Sequence, residues 1–434
     1  MRLSKRVVGV TAVGGLIITA MISPAQADTN TTVGTALATI GSDTTDDVVE
    51  GLSGLSSLSA DIANYKTVPI GRTIDSSANY PTAAGRPAAA DCSIAAARGS
   101  TEGKNGLSAS MRGASFTVVD PVEPIDNTSA NYSACVGVAR SSSSSFPSTS
   151  PGTGTVSRIP FAVDAIAPAV LKNSSVPKKV TYTFLKDLFT RNGAAGTAAC
   201  FNITPLIPSF ASGTRSSWAG FLGITDWDFS GTGGPIGTQP AGVTWGSCVT
   251  GGAPNSTGTG TGAGNGNPGD RKGGAAGTPI QEHQGGFLDG ANQILPYSAA
   301  QWMVQGSQVV TDIRGSSVLV SVDFTSATNT VNNADLRHPY SLNGQGAASV
   351  GFRGPLGNFT RTVYNMVPTT LLDTTFTPPA GATQTQFLTP DPADVARFAQ
   401  AFVGSTSDIC SASSTILLFG FATAPDCGVV TRNP

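Results

Sequence analysis

Four short turns built from Ser, Thr and Gly recur along this 434-residue chain, each set just before a segment with a helical pattern. They are Gly41-Ser42-Asp43-Thr44-Thr45, Arg98-Gly99-Ser100-Thr101, Ala139-Arg140-Ser141-Ser142 and Ala211-Ser212-Gly213-Thr214-Arg215. A helix start exposes backbone N–H groups carrying partial positive charge. Glycine lets the backbone close on an anion, and hydroxyls add donors. Taken singly, each turn is an ordinary helix cap. Taken together they predict a convergent oxyanion cradle, and the arginines in three of them offer forked, charge-assisted contacts.

The segments around these turns read as α/β. A strand is expected over Thr35–Ile40, followed by a helix with Asp43 or Thr44 at its cap and Val48, Val49, Leu52 and Leu55 on one buried face. A second helix is expected from about Asp391 to Val403, with Asp391 as cap, Pro392 at its first position and Gly404 as its stop. Strands are expected at Phe116–Val119, Val318–Phe324, Ser349–Phe352, Thr362–Val367 and Thr415–Phe421, rich in β-branched and aromatic residues. Helices mixed with many short strands place the chain among α/β proteins. Ser141–Ser150 and the Gly-rich stretch 251–276 read as exposed loops.

The chain opens with Met-Arg-Leu-Ser-Lys-Arg, an apolar run from Val7 to Ile22 and Ser23-Pro24-Ala25-Gln26-Ala27, the three parts of a cleavable signal peptide. Cleavage after Ala27 and export are expected, and no lipid anchor, since Asp28 rather than Cys would follow the cut. The mature protein is then secreted or wall-associated, soluble, without stable membrane insertion, and a monomer. Charged residues make up 12% of the chain, and the formal charge is −2. Without a basic cluster the chain lacks the electrostatic footprint of a nucleic-acid partner. Six cysteines, Cys92, Cys135, Cys200, Cys248, Cys410 and Cys427, none in a C-x-x-C spacing, predict three disulfides in an exported protein. Six cysteines allow 15 pairings, and pairing in sequence order closes three separate loops.

Enzyme chemistry finds thin support. The two histidines, His283 and His338, lie near no G-x-S-x-G elbow, and Gln281-Glu282-His283-Gln284 offers at most two metal ligands. Paired carboxylates drawn from Asp226, Asp228 and Glu282 leave a secreted hydrolase of phosphoesters or glycans as an alternative. A surface structural or adhesive protein is a third reading, suggested by the Ser/Thr/Gly-rich, sparsely charged composition.

The order of the turns carries a resemblance. Gly41–Thr45 after a first strand, Gly99-Ser100 before a helix, the Ala-Arg-Ser-Ser step, Arg158–Ala165, Leu185–Phe189 and Ser212-Gly213-Thr214 follow one another as in the phosphate-type solute-binding proteins of ABC importers. Gln281-Glu282-His283, Ile294–Trp302 and Arg361-Thr362-Val363-Tyr364-Asn365 are similar to an actinobacterial branch of that superfamily. The resemblance implies a type II periplasmic-binding-protein fold: two α/β lobes joined by two crossover strands, closing on a small anion. Residues 28–162 and 305–434 would form one lobe and 163–304 the other, each sequence-order disulfide staying within a lobe. It also implies that Thr44, Thr45, Ser100, Ser142, Ser212, Gly213 and Thr214 contact the ligand. The family has an aspartate where this chain has Ser142, and an arginine where it has Pro208. Arg140 or Arg215, with Arg98 as a further choice, would then supply the missing guanidinium. Glu282 and Trp302 are further candidates to line the cleft. The implied partners are a small anion, phosphate foremost, and an importer permease; no cofactor is implied.

Overall fold

The structure, a computed structural model, describes residues 36–65, 73–74, 94–95, 97, 99–118, 129–132, 135–149, 151–229, 239–250, 269–272, 278–323, 341–343, 347–349, 359–380 and 390–434. The signal peptide, most of the Gly-rich stretch, Cys92, Arg98 and His338 lie outside these residues.

Strand β1 (Leu37–Gly41) is buried at every position, as befits a strand covered on both faces. A 3-10 turn over Asp43–Thr45 leads into helix α1 (Asp46–Ser53), whose Val48, Val49 and Leu52 are buried as their spacing predicts. Strand β2 (Ile62–Asn64) follows, then helix α2 (Gly99–Arg112) and strand β3 (Val138–Ser141). Both β2 and β3 pair with β1 in parallel. Gly103 lets α2 pack close over the end of β1: a Cβ there would lie 2.4 Å from the Cα of Gly41.

Strand β4 (Val156–Leu171) then runs for 16 residues. Past it come strand β5 (Lys179–Thr181), helix α3 (Tyr182–Thr190), strand β6 (Thr204–Pro205), helix α4 (Gly213–Leu222), strand β7 (Gln293–Ser298) and helix α5 (Ala299–Gly306). Strands β8 (Ser317–Leu319), β9 (Ser321–Asp323) and β10 (Thr360–Pro368) precede helix α6 (Pro392–Phe402), helix α7 (Ser413–Leu418), strand β11 (Ala422–Thr423) and strand β12 (Thr431–Arg432). One 10-stranded mixed sheet has the order β6-β7-β4-β10-β3-β1-β2, with β8, β11 and β12 also paired to β4.

The two ends of β4 serve different cores. Residues 156–165 pair with β10, and β11 and β12 pair within the same stretch, while Ile166–Leu171 pair with β7 and β8. One hydrophobic cluster gathers Leu37, Leu52, Leu107, Phe161, Val363 and Phe402; another gathers Val170, Leu188, Trp218, Trp245, Ile294 and Phe359. The chain thus forms two α/β lobes joined by two crossover strands, β4 and β10, which is the type II periplasmic-binding-protein architecture. Near residue 304 the chain packs on the first core through Ala300 and Val304, and β10 runs between the two cores. Val320, Val322 and Phe359 belong to the second core because β8 extends the sheet along the far end of β4.

Helix α6 starts as its sequence predicts, with Asp391 Oδ1 accepting from Ala393 N at 2.9 Å and Pro392 in the first turn. The segment 415–421, expected as a strand, is helical through Leu418 and turns at Gly420, where φ is +83°. Two leucines with good helical propensity outweigh the β-branched pair Thr415-Ile416, and Ile416 and Phe421 still reach the core. Disulfides join Cys200 to Cys248 in the second lobe and Cys410 to Cys427 in the first, with Cα separations of 5.7 and 5.8 Å, ordinary bridging distances. Cys135 is disulfide-bonded as well. Among the described residues no helix is long and apolar enough to cross a membrane.

Candidate functional site

The turns at the ends of β1 and β3 and at the start of α2 and α4 meet where the lobes face each other. Within the first lobe, Ser42 Oγ donates to Ser142 Oγ at 3.1 Å. Ser100 Oγ lies 3.0 Å from Ser142 Oγ and accepts from the Ser142 N–H at 2.9 Å. Opposite stands Gly213, the first residue of α4, where a Cβ would fall 1.9 Å from Ser142 Oγ and 2.5 Å from Ser100 Oγ. Only glycine allows the second lobe to approach this hydroxyl cluster so closely.

Beside it, Ser212 caps α4 by accepting from Arg215 N at 3.0 Å, and the helix offers its free Thr214 N–H. That N–H donates to Glu282 Oε1 at 3.2 Å, and the Ser212 hydroxyl donates to the same oxygen. The other carboxylate oxygen, Oε2, accepts from Thr44 Oγ1 at 2.8 Å and Thr214 Oγ1 at 3.1 Å. His283 Nε2 lies 3.0 Å from it. One carboxylate is therefore gripped by Thr44 of the first lobe and by Ser212 and Thr214 of the second. All of these groups are buried, Glu282 being 8% exposed and Thr214 fully enclosed.

A guanidinium stands next to this grip. Arg361 Nη2 donates to Thr44 Oγ1 and Thr214 Oγ1, each at 3.0 Å, and to Asp164 Oδ2 at 2.9 Å. Arg361 on β10 and Asp164 on β4 are direct cross-strand partners, so the crossover ribbon itself aims the arginine. Asp164 Oδ1 in turn accepts from Ser298 Oγ at 2.9 Å and from Ala300 N at 3.2 Å, holding the start of α5. Gln301 of that helix donates to the Thr44 carbonyl at 2.9 Å. Burial alone would push the Glu282 pKa up. His283, Arg361 and Ser212 outweigh it and hold the carboxyl well below the usual carboxylate range.

The turns bring together Thr44, Ser100, Ser142, Ser212, Gly213 and Thr214. Thr45, although buried, turns its hydroxyl back to the Ser42 carbonyl at 3.3 Å. Neither expected arginine joins the cradle. Arg140 Nη1 donates to Asn64 Oδ1, to the Thr39 carbonyl at 3.1 Å and to the Tyr65 carbonyl at 3.2 Å, and Nη2 lies 3.2 Å from Asp46 Oδ1. It ties together the ends of the parallel strands. Arg215 is enclosed in the second core. It pairs with Asp226 and Asp270, each at 2.8 Å, and lies 4.8 Å from the Phe229 ring centre. Trp302 stacks against Arg314, 4.6 Å from its ring centre to the guanidinium.

Arg361 is the arginine of the site, and residue-by-residue reading gave it no role. The available signal was a single charged residue in an otherwise neutral strand, Thr360–Pro368, opposite the single aspartate of the apolar stretch Pro160–Leu171. Lone charges in buried strands need buried partners.

No family model matches the chain, and no curated protein matches it. Among solved structures it is similar to a putative phosphate ABC transporter substrate-binding protein with bound phosphate from Clostridium perfringens, at 11% identity, covering 90% of this chain and 99% of that one, with a TM-score of 0.38. A possible phosphate binding protein from Planctomyces limnophilus matches at 9% identity over 91% of this chain and 94% of its own, TM-score 0.34. An ABC-type phosphate transport receptor from Vibrio cholerae matches at 11% identity over 67% and 81%, TM-score 0.31.

Proposed function

We propose that the interlobe cradle is the binding site of an extracytoplasmic solute-binding protein for a small oxyanion, phosphate being the first candidate. The observation that carries this reading is the convergence of Thr44, Ser212, Thr214 and the Thr214 N–H, from both lobes, on the oxygens of one anionic group. Donors fixed before the ligand arrives need little reorganisation, and charge-assisted bonds to them are the strong kind. Ser100, Ser142 and Gly213 form the neighbouring wall, and Arg361, aimed by Asp164, supplies the positive charge that Arg140 and Arg215 do not. The protein holds its ligand without transforming it. In this reading the chain is exported, cut after Ala27 and released without a lipid. It then passes its anion to an importer permease or retains it outside the cell.

The hydrolase alternative gains nothing from Asp226, whose Oδ1 is held by Arg215 Nε at 2.8 Å and Trp245 Nε1 at 2.7 Å. Calorimetry of ligand-stripped protein with phosphate and sulfate is the test, run on the natural chain and on Glu282→Ala. Binding of at least one anion by at least one of the two proteins is expected; silence from both, with the fold intact, overturns the reading.

A further inference from the structure

The carboxylate in the cradle belongs to the protein itself. Every donor that would serve an anion from solution is already used: Ser212 and the Thr214 N–H on Oε1, Thr44 and the Thr214 hydroxyl on Oε2. We propose that Glu282 is a tethered occupant of the cradle, holding the lobes closed in place of a ligand, and that a tetrahedral oxyanion binds by displacing the Glu282-His283 turn. This inference rests on the reading of the cleft as an oxyanion cradle.

Three features of the turn fit an arm that can leave. First, His283 sits at φ +60° and Ala211, just before the Ser212 cap, at φ +72°. Both residues carry a Cβ in the left-handed region, a cost that surrounding contacts must maintain. Second, the turn is held from outside the cradle by Tyr297 OH and by Gln305 Nε2 at 3.1 Å, both donating to the His283 carbonyl. The anchor of the arm is therefore separate from its grip. Third, the carboxylate does not satisfy the guanidinium: Arg361 Nη1 is buried and without a hydrogen-bond partner, although the residue is only 6% exposed. A carboxylate has two oxygens, and both are already taken up by the hydroxyls and the Thr214 N–H, so neither reaches Arg361 Nη1. A tetrahedral anion brings two more oxygens.

Electrostatics makes the two occupants exclusive. Arg361 is the cation bonded to the cradle threonines, and Asp164 already shares it. A second anion beside an ionised, desolvated Glu282 would face an uncompensated like charge. An incoming oxyanion must then compete with a carboxylate tethered at high effective concentration. Its apparent affinity falls by the fraction of molecules whose cradle is vacant. Removing the tethered competitor restores it.

The experiment compares the natural chain with Glu282→Ala and Glu282→Gln, each titrated calorimetrically with inorganic phosphate and sulfate near neutral pH, with near-ultraviolet circular dichroism to verify the fold. Glu282→Ala is expected to bind one or both anions at least tenfold more tightly than the natural chain, and Glu282→Gln severalfold more tightly. Equal or tighter binding by the natural chain overturns the tethered-occupant inference while leaving the cradle reading in place. No binding by any folded form overturns the cradle reading and the inference together. Should Glu282→Ala fail to fold, the isosteric Glu282→Gln decides by the same comparison.

Discussion

Two of the buried arginines with carboxylate partners, Arg215 and Arg361, are built for opposite ends. Arg215 is paired with Asp226 and Asp270, partners from its own lobe, and is walled by Phe210, Phe229 and Trp245. Arg361 has the single carboxylate Asp164 from across the crossover ribbon and is otherwise met by the small hydroxyls of Thr44 and Thr214. The first site encloses a compensated cation in aromatic surface, its remaining N–H groups donating to the Pro208 and Trp227 carbonyls. The second leaves a guanidinium nitrogen unspent at the junction of two lobes. An arginine that cements a core and one poised for an anion thus differ in their surroundings more than in their burial.

The sharpest attempt to break this contrast is Arg215→Met. It strands Asp226 and Asp270 in the second lobe, and stability should fall by about 3–5 kcal/mol, the usual cost of orphaning a buried ion pair. Urea unfolding measures it, and a loss under about 1 kcal/mol would deny Arg215 its cementing role.

Lys104 is a further buried cation, held among the described residues by the hydroxyls of Ser143 and Ser145 at 2.8 and 2.6 Å. Burial, with a smaller push from Arg158, lowers its pKa to about 8 from 10.5. Between those values the unfolded chain binds more protons than the folded one, so stability should rise with pH across that window. The rise should be on the order of 3 kcal/mol, at 1.36 kcal/mol per pKa unit. Unfolding midpoints that rise in the natural chain and stay level in Lys104→Met would place Lys104 apart from both arginines.

Arg361→Lys in the Glu282→Ala protein keeps a charge for Asp164 but loses the planar fork. Phosphate affinity should drop by about 30-fold, some 2 kcal/mol, because ammonium cannot reproduce bidentate geometry. An unchanged Kd would make Arg361 a purely structural partner of Asp164. Smallest of the four, Ser212→Ala with Thr214→Ala in the same background should weaken phosphate binding by a little over tenfold, about 1.4 kcal/mol. Normal binding by that double variant would move the site elsewhere.

Local chemistry made much of this readable in the residues alone. Ser212 and Asp391 announce helix starts by composition, and the apolar spacing of α1 and α6 is regular enough to give their buried faces. The hydroxyl turns were legible because helix starts need them and short polar residues crowd there. Partner choice was not legible. Arg140, Arg215 and Arg361 are equivalent as letters, and which one meets the cradle depends on strand register: Arg361 reaches it because β10 sets it against Asp164. The placement of Val320 and Val322 was hidden for a similar reason. Pairing of β8 with the far end of β4 is a nonlocal choice that brings this short segment into the second core. Glu282 entered the sequence reading as a residue lining the cleft; its place in the grip follows from a left-handed turn at His283, which no spacing rule announces.

The long strand β4 carries a mechanical consequence. Its 16 residues, at about 3.3 Å each, make a rod of roughly 50 Å that belongs to both lobes. Alongside it β10 is hydrogen-bonded across the junction, with a register slip between Val363 and Tyr364. Among the described residues the lobes are therefore joined by a two-stranded ribbon. Relative rotation must be stored as torsion along that ribbon, with the slip as its most compliant point. Arg361 is two residues from the slip. Twisting the ribbon turns the guanidinium with it, so the spring that sets the lobe angle also sets the aim of the cation.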